Sequence, residues 1–401
     1  MQHPKTVKLG EIIQQVRGVT YSGDEAVNKP TDGYLPIFRA NNILQNGQLL
    51  YENLVYVPQK CVKPNQLVRE GDIVIAASSG SKEIVGKAAF AKHDWKGSFG
   101  AFCKIVRAKN VLPLYLNYFF QTSGYRKRIS QSVEGANINN LRNETLDCLE
   151  IPLPDLDTQR HIAAILDQAD ALRQKNRQLL TYYEQLPQAV FLEMFGDEQA
   201  IKHWYEAINL CEVADIVSGV TKNTKQTGTN YIDVPYMRVA NVQDGRIDLS
   251  EIKTINVPPS DLQKFRLQRN DILLTEGGDP DKLGRGAVWH DEITDCIHQN
   301  HIFRVRPNQQ LVNPTFLSFL IGSRYGKRYF LKAAKQTTGI ASINMQQLKR
   351  FPAVVPPIEI QNQFSHSITE IEQQKKLAIA QLITGEALFQ SLLHESFGEK
   401  V

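Results

Sequence analysis

The sequence predicts an α/β (α+β) protein in which two homologous globular domains alternate with two long helices. Three observations support this class. The 401-residue chain repeats itself once at about half its length. Each copy mixes short β-type runs with helical segments, and each copy closes with a long segment whose apolar residues follow helical spacing. Hydrophobic residues make up 42% of the chain, which is enough for packed cores and argues against a disordered protein.

The internal repeat consists of short motifs that recur about 200 residues later. The matched pairs are Val7–Ile12 with Ile208–Val213, Gly18–Thr20 with Gly219–Thr221, Pro36–Arg39 with Pro235–Arg238, Gly71–Val74 with Asn270–Leu273, Ser123–Arg128 with Ser323–Arg328, Ile151–Pro154 with Val354–Pro357, and Phe195-Gly196 with Phe397-Gly398. This period is far longer than that of solenoid repeats, so it indicates duplication of a whole domain-plus-helix unit. The predicted segments are a first domain over 1–152, a helical segment over 153–200, a second domain over 201–355 and a helical segment over 356–401.

Each predicted domain contains strands, turns and helices. The predicted strands are short, mostly apolar runs, and the turns between them carry glycine after Asn or Asp. Both patterns are typical of β structure. The clearest segments are the strands Asp72–Ala76 and Asp271–Leu274, the turns Asn46-Gly47 and Asp244-Gly245, and the helical patches 113–130 and 314–333.

The two helical segments carry apolar residues at three- and four-residue spacing. Pro154 and Asp157 predict the start of the first helix, and Pro187 with Gly196 predicts a separate short helix over Gln188–Phe195. The predicted buried seams are Ile162, Ile165, Ala169, Leu172, Asn176, Leu179, Tyr183 and Leu186 in the first copy, and Phe364, Ile368, Ile371, Lys375, Ala378, Leu382, Gly385, Phe389 and Leu392 in the second. A polar Asn176 in such a seam often fixes register. We expect each helix to pack against the other; the alternative, that each packs on its own domain, stays open.

Charge is unevenly distributed along the chain. Residues 1–150 carry a net +6 and residues 201–352 a net +5, whereas 151–200 carry −4 and 353–401 carry −3. Basic bodies attract polyanions and acidic segments are repelled by them, although such charge is also common among soluble domains. Five scattered cysteines without a C-x-x-C pair argue against a disulfide framework or a cysteine zinc site and favour the reducing cytoplasm. No apolar run approaches the length of a membrane span.

Catalytic motifs are missing from the sequence. It has no methyltransferase loop of the Asn-Pro-Pro-Tyr type, no complete G-x-G-x-x-G and no G-x-S-x-G elbow. The segment from Gly80 to Ala88 lacks the spacing and the Ser or Thr of a phosphate-binding loop. His298 and His301 are spaced like metal ligands, but no third ligand is evident. We therefore expect neither a catalytic residue nor a metal site in this chain.

The sequence resembles the specificity subunits of type I restriction–modification systems over nearly its whole length. The strongest resemblance is to the central conserved region of that family, in the segments Pro152–Pro154, Asp157–Leu172 and Phe191–Asp197. Shorter matches are Lys8–Glu11, Arg39–Ile43, Gly71–Ile73, Gly339–Asn344 and Pro356–Gln361.

The resemblance implies two target-recognition domains that each read one half of a bipartite, asymmetric DNA site. It also implies an antiparallel coiled coil that acts as a spacer and docks methyltransferase subunits, two by analogy, with a restriction and translocase subunit for cleavage. S-adenosylmethionine, ATP and Mg would then reside on those partners and not on this chain. About 30 helical residues span roughly 45 Å, so half-sites about one 34 Å turn of duplex apart are reachable.

Candidate DNA-binding residues follow from the chemistry of base and phosphate recognition. Arg pairs with guanine, Asn with adenine, and cations beside small residues approach phosphates. The candidates are Arg39, Asn41, Asn42, Ser79, Lys82, Lys87, Arg126, Lys127 and Arg128 in the first copy, and Arg238, Asn241, Lys282, Arg285, Lys327 and Arg328 in the second. The Asn-Ile-Asn of residues 137–139 and the Ser342–Asn344 segment are predicted to cap helices rather than to contact DNA.

Other functions remain open on the sequence alone. The chain could serve a restriction system whose nuclease and methyltransferase are fused in one enzyme subunit. It could also be a coiled-coil scaffold that never binds DNA, or a self-sufficient methyltransferase or nuclease, although the missing motifs argue against the last.

Overall fold

The computed structural model describes residues 5–132, 139–221, 231–278, 283–337 and 340–398. The chain divides into two compact units. One comprises Met1–Gln178 and Ala378–Val401, and the other comprises Leu179–Leu377. The predicted boundaries follow chain order, whereas each unit combines one globular domain with a segment from each of the two long helices.

The first unit alternates short strands with short helices before the first long helix. Its elements are β1 (Thr6–Lys8), α1 (Leu9–Ile12), β2 (Ile13–Arg17), β3 (Tyr34–Phe38), β4 (Val55–Pro58), β5 (Ile73–Ala76), β6 (Ser78–Ser79), β7 (Ala88–Phe90), β8 (Ser98–Phe99), β9 (Cys103–Ala108), α2 (Pro113–Phe119), α3 (Ser123–Ser132), β10 (Asn139–Asn140), α4 (Asn143–Asp147), β11 (Glu150–Pro152) and the start of α5 (Leu156–Phe195).

The second unit repeats this order with three additions. Its elements are α6 (Glu198–Trp204), β12 (Ala207–Asn209), α7 (Leu210–Val213), β13 (Ala214–Ser218), β14 (Ile232–Met237), β15 (Lys253–Val257), α8 (Pro259–Phe265), β16 (Ile272–Thr275), β17 (Gly277–Gly278), β18 (Gly286–Val288), β19 (Ile297–His298), β20 (Ile302–Pro307), α9 (Pro314–Gly322), α10 (Arg324–Ala333), β21 (Lys335–Thr337), β22 (Ile340–Ser342), α11 (Met345–Lys349), β23 (Pro352–Val354) and the start of α12 (Ile358–Phe397). The additions among the described residues are α6, α8 and β21.

The sheets of the two units share one topology. A four-stranded antiparallel sheet has the order β2-β9-β5-β7 in the first unit and β13-β20-β16-β18 in the second. A three-stranded sheet has the order β4-β3-β8 or β15-β14-β19, with β3–β8 and β14–β19 parallel. The predicted duplication is therefore confirmed strand by strand.

A buried carboxylate explains one of the repeated motifs. Asp72 and Asp271 precede the central strands β5 and β16 and are 2% and 0% exposed. The Nε of Arg107 donates to Asp72 Oδ1 over 2.8 Å, and the Nε of Arg306 donates to Asp271 Oδ1 over 2.7 Å. In each unit the arginine also donates through Nη2 to the second oxygen, so a two-point ion pair ties two neighbouring strands together.

A repeated glycine is required by close backbone approach. A Cβ on Gly18 would lie 2.1 Å from the carbonyl oxygen of Gly100, and one on Gly219 would lie 2.0 Å from that of His298. No side chain fits at either position, which accounts for the glycine that begins the Gly-Val-Thr motif in both copies.

The two long helices pack against each other in antiparallel directions, as predicted. In the first unit, Ala163 and Leu166 near the start of α5 share a core with Leu393 and Phe397 near the end of α12. In the second unit, the ring of Phe191 near the end of α5 lies 5.6 Å from that of Phe364 near the start of α12. Each helix also packs on the globular domain of the unit concerned, so the two alternatives considered for its partner both occur.

Two expectations for the first helix are wrong. No separate helix begins at Gln188, because α5 runs without a break from Leu156 to Phe195 with Pro187 inside it. The predicted seam is also out of phase. Four of its members lie on the exposed side, namely Ile165, Leu172, Leu179 and Leu186, with 36–50% of their surface accessible.

The buried residues of α5 mostly follow the predicted seam residues by one position in the sequence. It includes Ala163, Leu166, Arg173 and Asn176, so Asn176 lies in the buried seam as expected. Ile162 and Tyr183 are partly buried against the cores of their units. On α12 the predicted phase is right, because Ile368 and Ile371 are buried and Leu382 is half-buried.

A buried arginine accounts for the phase of the first helix. The guanidinium of Arg173 lies 3.6 Å from the centre of the Phe389 ring and donates to Glu386 Oε1 over 2.7 Å. It also donates to Asp170. The stem of Arg173 lies 3.9 Å from where a Cβ of Gly385 would be. Gly385 therefore lies directly beside the buried Arg173 between the two helices.

Candidate nucleic-acid interface

The Gly/Ser loop of the first unit, residues 78–87, is held in place by hydrogen bonds from α3. Arg126 donates from Nη1 to the carbonyl oxygen of Val85 over 2.9 Å and from Nη2 to that of Glu83 over 2.8 Å. The hydroxyl of Tyr125 donates to the carbonyl oxygen of Gly86 over 2.9 Å. Arg126 thus fixes the loop, whereas the neighbouring Lys127 and Arg128 are exposed.

A cationic cleft of about 940 Å³ lies between this loop and the helix pair of the same unit. The cations that line it are Lys82, Lys87, Arg126, Lys127, Arg173 and Arg177, against two carboxylates, Glu83 and Glu386. The three arginines are engaged within the protein. The lysines Lys82 and Lys127 are exposed and Lys87 is half-buried, so the lysines are the cations available to an anionic ligand.

The second unit has a matching cleft of about 840 Å³. It is lined by the turn at Gly245, by strand β18 and by Lys327, which correspond to Gly47, β7 and Lys127 of the first unit. Its further cations, which were not among the predicted DNA-binding residues, are Arg246, Arg269, Lys375 and Lys376.

The predicted cations of the second unit have polar partners within the protein. Lys327 Nζ lies 3.5 Å from Asp244 Oδ2, and Arg328 lies 3.2 Å from Glu198 Oε2. Arg285 donates to Gln243 Oε1 over 3.3 Å. These contacts partly neutralise Lys327 and Arg328, so the two units differ in available charge. Lys282 lies outside the described residues.

The structure corrects the expectation for two asparagines. Asn42 and Asn241 are buried, and each accepts a hydrogen bond from the backbone amide of Arg39 or Arg238. Their side-chain amides donate to backbone carbonyls, of Leu50 and Glu52 in the first unit and of Asp248 and Glu251 in the second. Because these side-chain amides already form hydrogen bonds within a turn, they are not free to pair with adenine.

The neighbouring arginines and Asn41 stay predictions. Arg39 donates to the carbonyl oxygen of Asn53 over 3.2 Å, and Arg238 forms an ion pair with Glu251 over 3.0 Å. Asn41 is exposed and Ser79 is half-buried on β6. The predicted capping role is confirmed for Asn344, whose side chain accepts from the amide of Gln347 at the start of α11. Asn137 and Ile138 lie outside the described residues.

The two spaced histidines do not form a common site. His298 is buried, and burial together with the positive charge of Arg304 lowers its pKa to about 4. His301 is exposed and its Nδ1 lies 2.6 Å from Glu276 Oε2. Within the described ranges, no group of three or more His, Cys, Asp or Glu side chains is arranged to hold a metal ion. Within the same ranges, no helix has the length and apolar character to cross a membrane.

Duplicated domains with basic clefts and an antiparallel helix pair define a two-part recognition protein, and comparison with known proteins identifies its family. The chain belongs to the type I restriction modification DNA specificity domain family, whose model matches residues 1–181 and again 203–383. The two matches coincide with the two copies of the repeat.

Named relatives agree with this assignment. The chain is 30% identical to the type I restriction enzyme StySPI specificity subunit of Salmonella potsdam, over 98% of this chain and 88% of the relative. It is 29% identical to the EcoKI specificity subunit of Escherichia coli K12, over 97% of this chain and 87% of that protein.

Solved structures share the fold. The S subunit of a type I restriction–modification system from M. genitalium matches with a TM-score of 0.55 at 14% identity, over 99% of this chain and 96% of that one. A chain from work on complex assembly and conformational transition of the type I system matches with a TM-score of 0.56 at 17% identity, over 100% and 99%.

Proposed function

We propose that this chain is the DNA-recognition subunit of a type I restriction–modification complex. Each unit reads one part of a bipartite, asymmetric site, and the two parts differ because the loops of the two units differ. Family membership over both repeats is the observation that carries this proposal. The cationic cleft in each unit supports it, because phosphate contacts by Lys and Arg supply much of the affinity for DNA.

The long helices are proposed to dock the methyltransferase subunits. Their exposed sides carry apolar residues that the cores of the two units do not use. These are Ile165, Leu172, Leu179, Leu186 and Leu192 on α5, and Leu377, Ile379, Ile383 and Leu388 on α12. Exposed apolar surface of this kind favours a protein partner over DNA, and the net negative charge of both helical segments agrees with that choice.

The composition of the complex is part of the same proposal. Two methyltransferase subunits would bind, one for each half of the duplicated chain, and a restriction and translocase subunit would join for cleavage. The chain itself would carry out no catalysis, and S-adenosylmethionine, ATP and Mg would bind to the partners. The complex would work in the cytoplasm, where host DNA is available to it.

The proposal is tested by sequencing adenine methylation in the host genome with and without the gene. We expect loss of one asymmetric, two-part motif with a fixed gap when the gene is deleted. Restoring the gene should restore the same motif. An unchanged pattern of methylation, with the methyltransferase gene expressed, would refute the proposal in favour of a scaffold role.

A further inference from the structure

The connection from β8 to β9 and the connection from β19 to β20 have the same backbone structure. The amide of Cys103 donates to the carbonyl of Gly100 over 2.8 Å, and that of Ile302 donates to the carbonyl of Gln299 over 3.0 Å. The carbonyl oxygen of the last loop residue accepts from Ala77 in the first unit, over 2.8 Å, and from Glu276 in the second, over 3.0 Å. The last loop residues, Phe102 and His301, therefore occupy equivalent positions.

Phe102 is an exposed aromatic ring on a fixed backbone. Phe102 has 68% of its surface accessible, and its ring contacts no other aromatic ring among the described residues. Its carbonyl oxygen accepts from Ser78 as well as Ala77, so the residue is fixed beside the Gly/Ser loop. Covering such an exposed apolar ring with a ligand is favourable, because it removes apolar surface from water.

His301 presents different chemistry at the equivalent position. Its side chain is 61% accessible, and its Nδ1 lies 2.6 Å from the Glu276 carboxylate. An ionised carboxylate only accepts hydrogen bonds, so Nδ1 carries the proton and donates. In the neutral ring, Nε2 is then an oriented acceptor. Ala77 stands where Glu276 stands in the second unit, so the first unit has no counterpart of this pair.

We propose that Phe102 and His301 are specificity-determining residues for the two halves of the DNA site. Phe102 contacts the methyl group of a thymine in one half-site, since an apolar side chain is the group that reads this methyl. His301 accepts a hydrogen bond through Nε2 from an exocyclic amino group of a base in the other half-site. Glu276 acts as a positioning residue for the imidazole. This inference rests on the function proposed above.

The first test uses the full chain in complex with its methyltransferase and the motif found by methylation sequencing. Each thymine of the motif is replaced in turn by deoxyuridine, which lacks only the methyl group, and the Kd is measured at one salt concentration. For the wild-type complex we expect one replacement to weaken binding about fourfold, the effect of one buried methylene-sized group. Phe102→Ala should weaken binding to the natural motif and abolish the effect of that replacement alone.

The second test removes single exocyclic amino groups from the bases of the motif. For the wild-type complex, one such removal in the half-site not affected by Phe102→Ala should weaken binding. His301→Ala should abolish that sensitivity, and Glu276→Ala should reduce it, while Glu276→Gln, which can still accept from Nδ1, should retain most of it. Leu311→Ala is the control, because it removes an exposed apolar side chain outside both loops.

The outcomes separate this inference from the function on which it rests. A wild-type complex that binds the motif no better than a random duplex would overturn both. A wild-type complex that prefers the motif would overturn only the inference if Phe102→Ala kept every deoxyuridine effect, or if Phe102→Ala and His301→Ala changed the same half-site. Unchanged melting temperatures of the variants exclude loss of folding as the cause.

Discussion

At the scale of single residues, the chain uses the same buried ion pair in both units. Asp72 with Arg107 and Asp271 with Arg306 join neighbouring strands of the four-stranded sheets. The aspartates are almost fully buried while the arginines remain partly exposed. Removing one partner of such a pair leaves an uncompensated charge, which costs far more than the loss of a surface pair.

We expect Asp271→Asn to lower the free energy of unfolding by about 3 kcal/mol, because it leaves the Arg306 guanidinium without its carboxylate. Urea unfolding monitored by circular dichroism measures this change. Asp157→Asn is the matched control, since Asp157 pairs with Arg160 on the exposed surface of α5. The control should change stability by less than about 0.5 kcal/mol, and equal effects of the two variants would contradict the argument.

His298 gives the second unit a dependence on pH that the first unit lacks at the equivalent residue, Phe99. Burial, followed by the charge of Arg304, lowers the pKa of His298 from 6.5 to about 4. Between these values the unfolded chain takes up a proton that the folded chain does not. Stability is therefore lost as the pH falls through this window.

We expect the free energy of unfolding to fall by on the order of 1 kcal/mol per pH unit more in the wild type than in His298→Phe between pH 6.5 and 4. Urea unfolding at several pH values measures the two slopes. Parallel slopes for wild type and His298→Phe would show that His298 does not titrate as inferred.

At the scale of elements, the helices were predicted well in position and less well in phase. The start of α5 and its antiparallel pairing follow from Pro154, the apolar spacing and the family resemblance, whereas its length was underestimated because Pro187 does not end the helix. The predicted buried face of α5 was wrong because Ile165, Leu172, Leu179 and Leu186 recur every seven residues and form a clear apolar stripe. The face that is actually buried is harder to recognise in the sequence, because it includes the polar residues Arg173 and Asn176. An apolar stripe shows that a helix has a partner but not which of two partners it faces.

The exposed stripe predicts a binding defect without a folding defect. We expect Leu172→Glu to leave the free energy of unfolding within about 0.5 kcal/mol of wild type, because Leu172 is half exposed. Its affinity for the methyltransferase subunit should fall at least about tenfold, since a charge would enter an apolar interface. Analytical ultracentrifugation or calorimetry measures the association.

The control for this variant is Gln363→Glu, which adds the same charge at an exposed polar position near the start of α12, away from the exposed apolar residues. It should leave association nearly unchanged. If both variants weakened association equally, the loss would reflect charge alone and not the apolar stripe.

At the scale of the whole molecule, the internal duplication is the sequence feature that predicted most of the fold. Matching motifs predicted two copies of one topology, and the strand orders bear this out. The binding site was less accessible to sequence reasoning. Asn42 and Asn241 have the residue type that reads adenine, yet the backbone turns they close are visible only in three dimensions. Phe102 was missed because an isolated phenylalanine in a sequence is normally a core residue; its alignment with His301 was the available signal.

The cationic cleft of the first unit predicts a measurable change in salt dependence. Lys127 is exposed and lines the cleft, so Lys127→Ala in the assembled complex should reduce the slope of log K against log salt by about 1. The preference for the methylated motif over other duplexes should stay nearly constant. The control is Lys175→Ala, which removes a lysine from the exposed side of α5. If Lys127→Ala changed the motif preference and left the slope unchanged, Lys127 would contact bases and not phosphates.

The division of the chain between the two units also has a consequence for biosynthesis. The second unit is drawn from one uninterrupted stretch, Leu179–Leu377, whereas the first unit is completed by residues after Ala378. Phe389, Leu393 and Phe397 belong to the core of that first unit, yet they are the last part of it to leave the ribosome. The half of the protein that is translated first therefore finishes folding last, and a prematurely terminated chain would carry its defect in the N-terminal half.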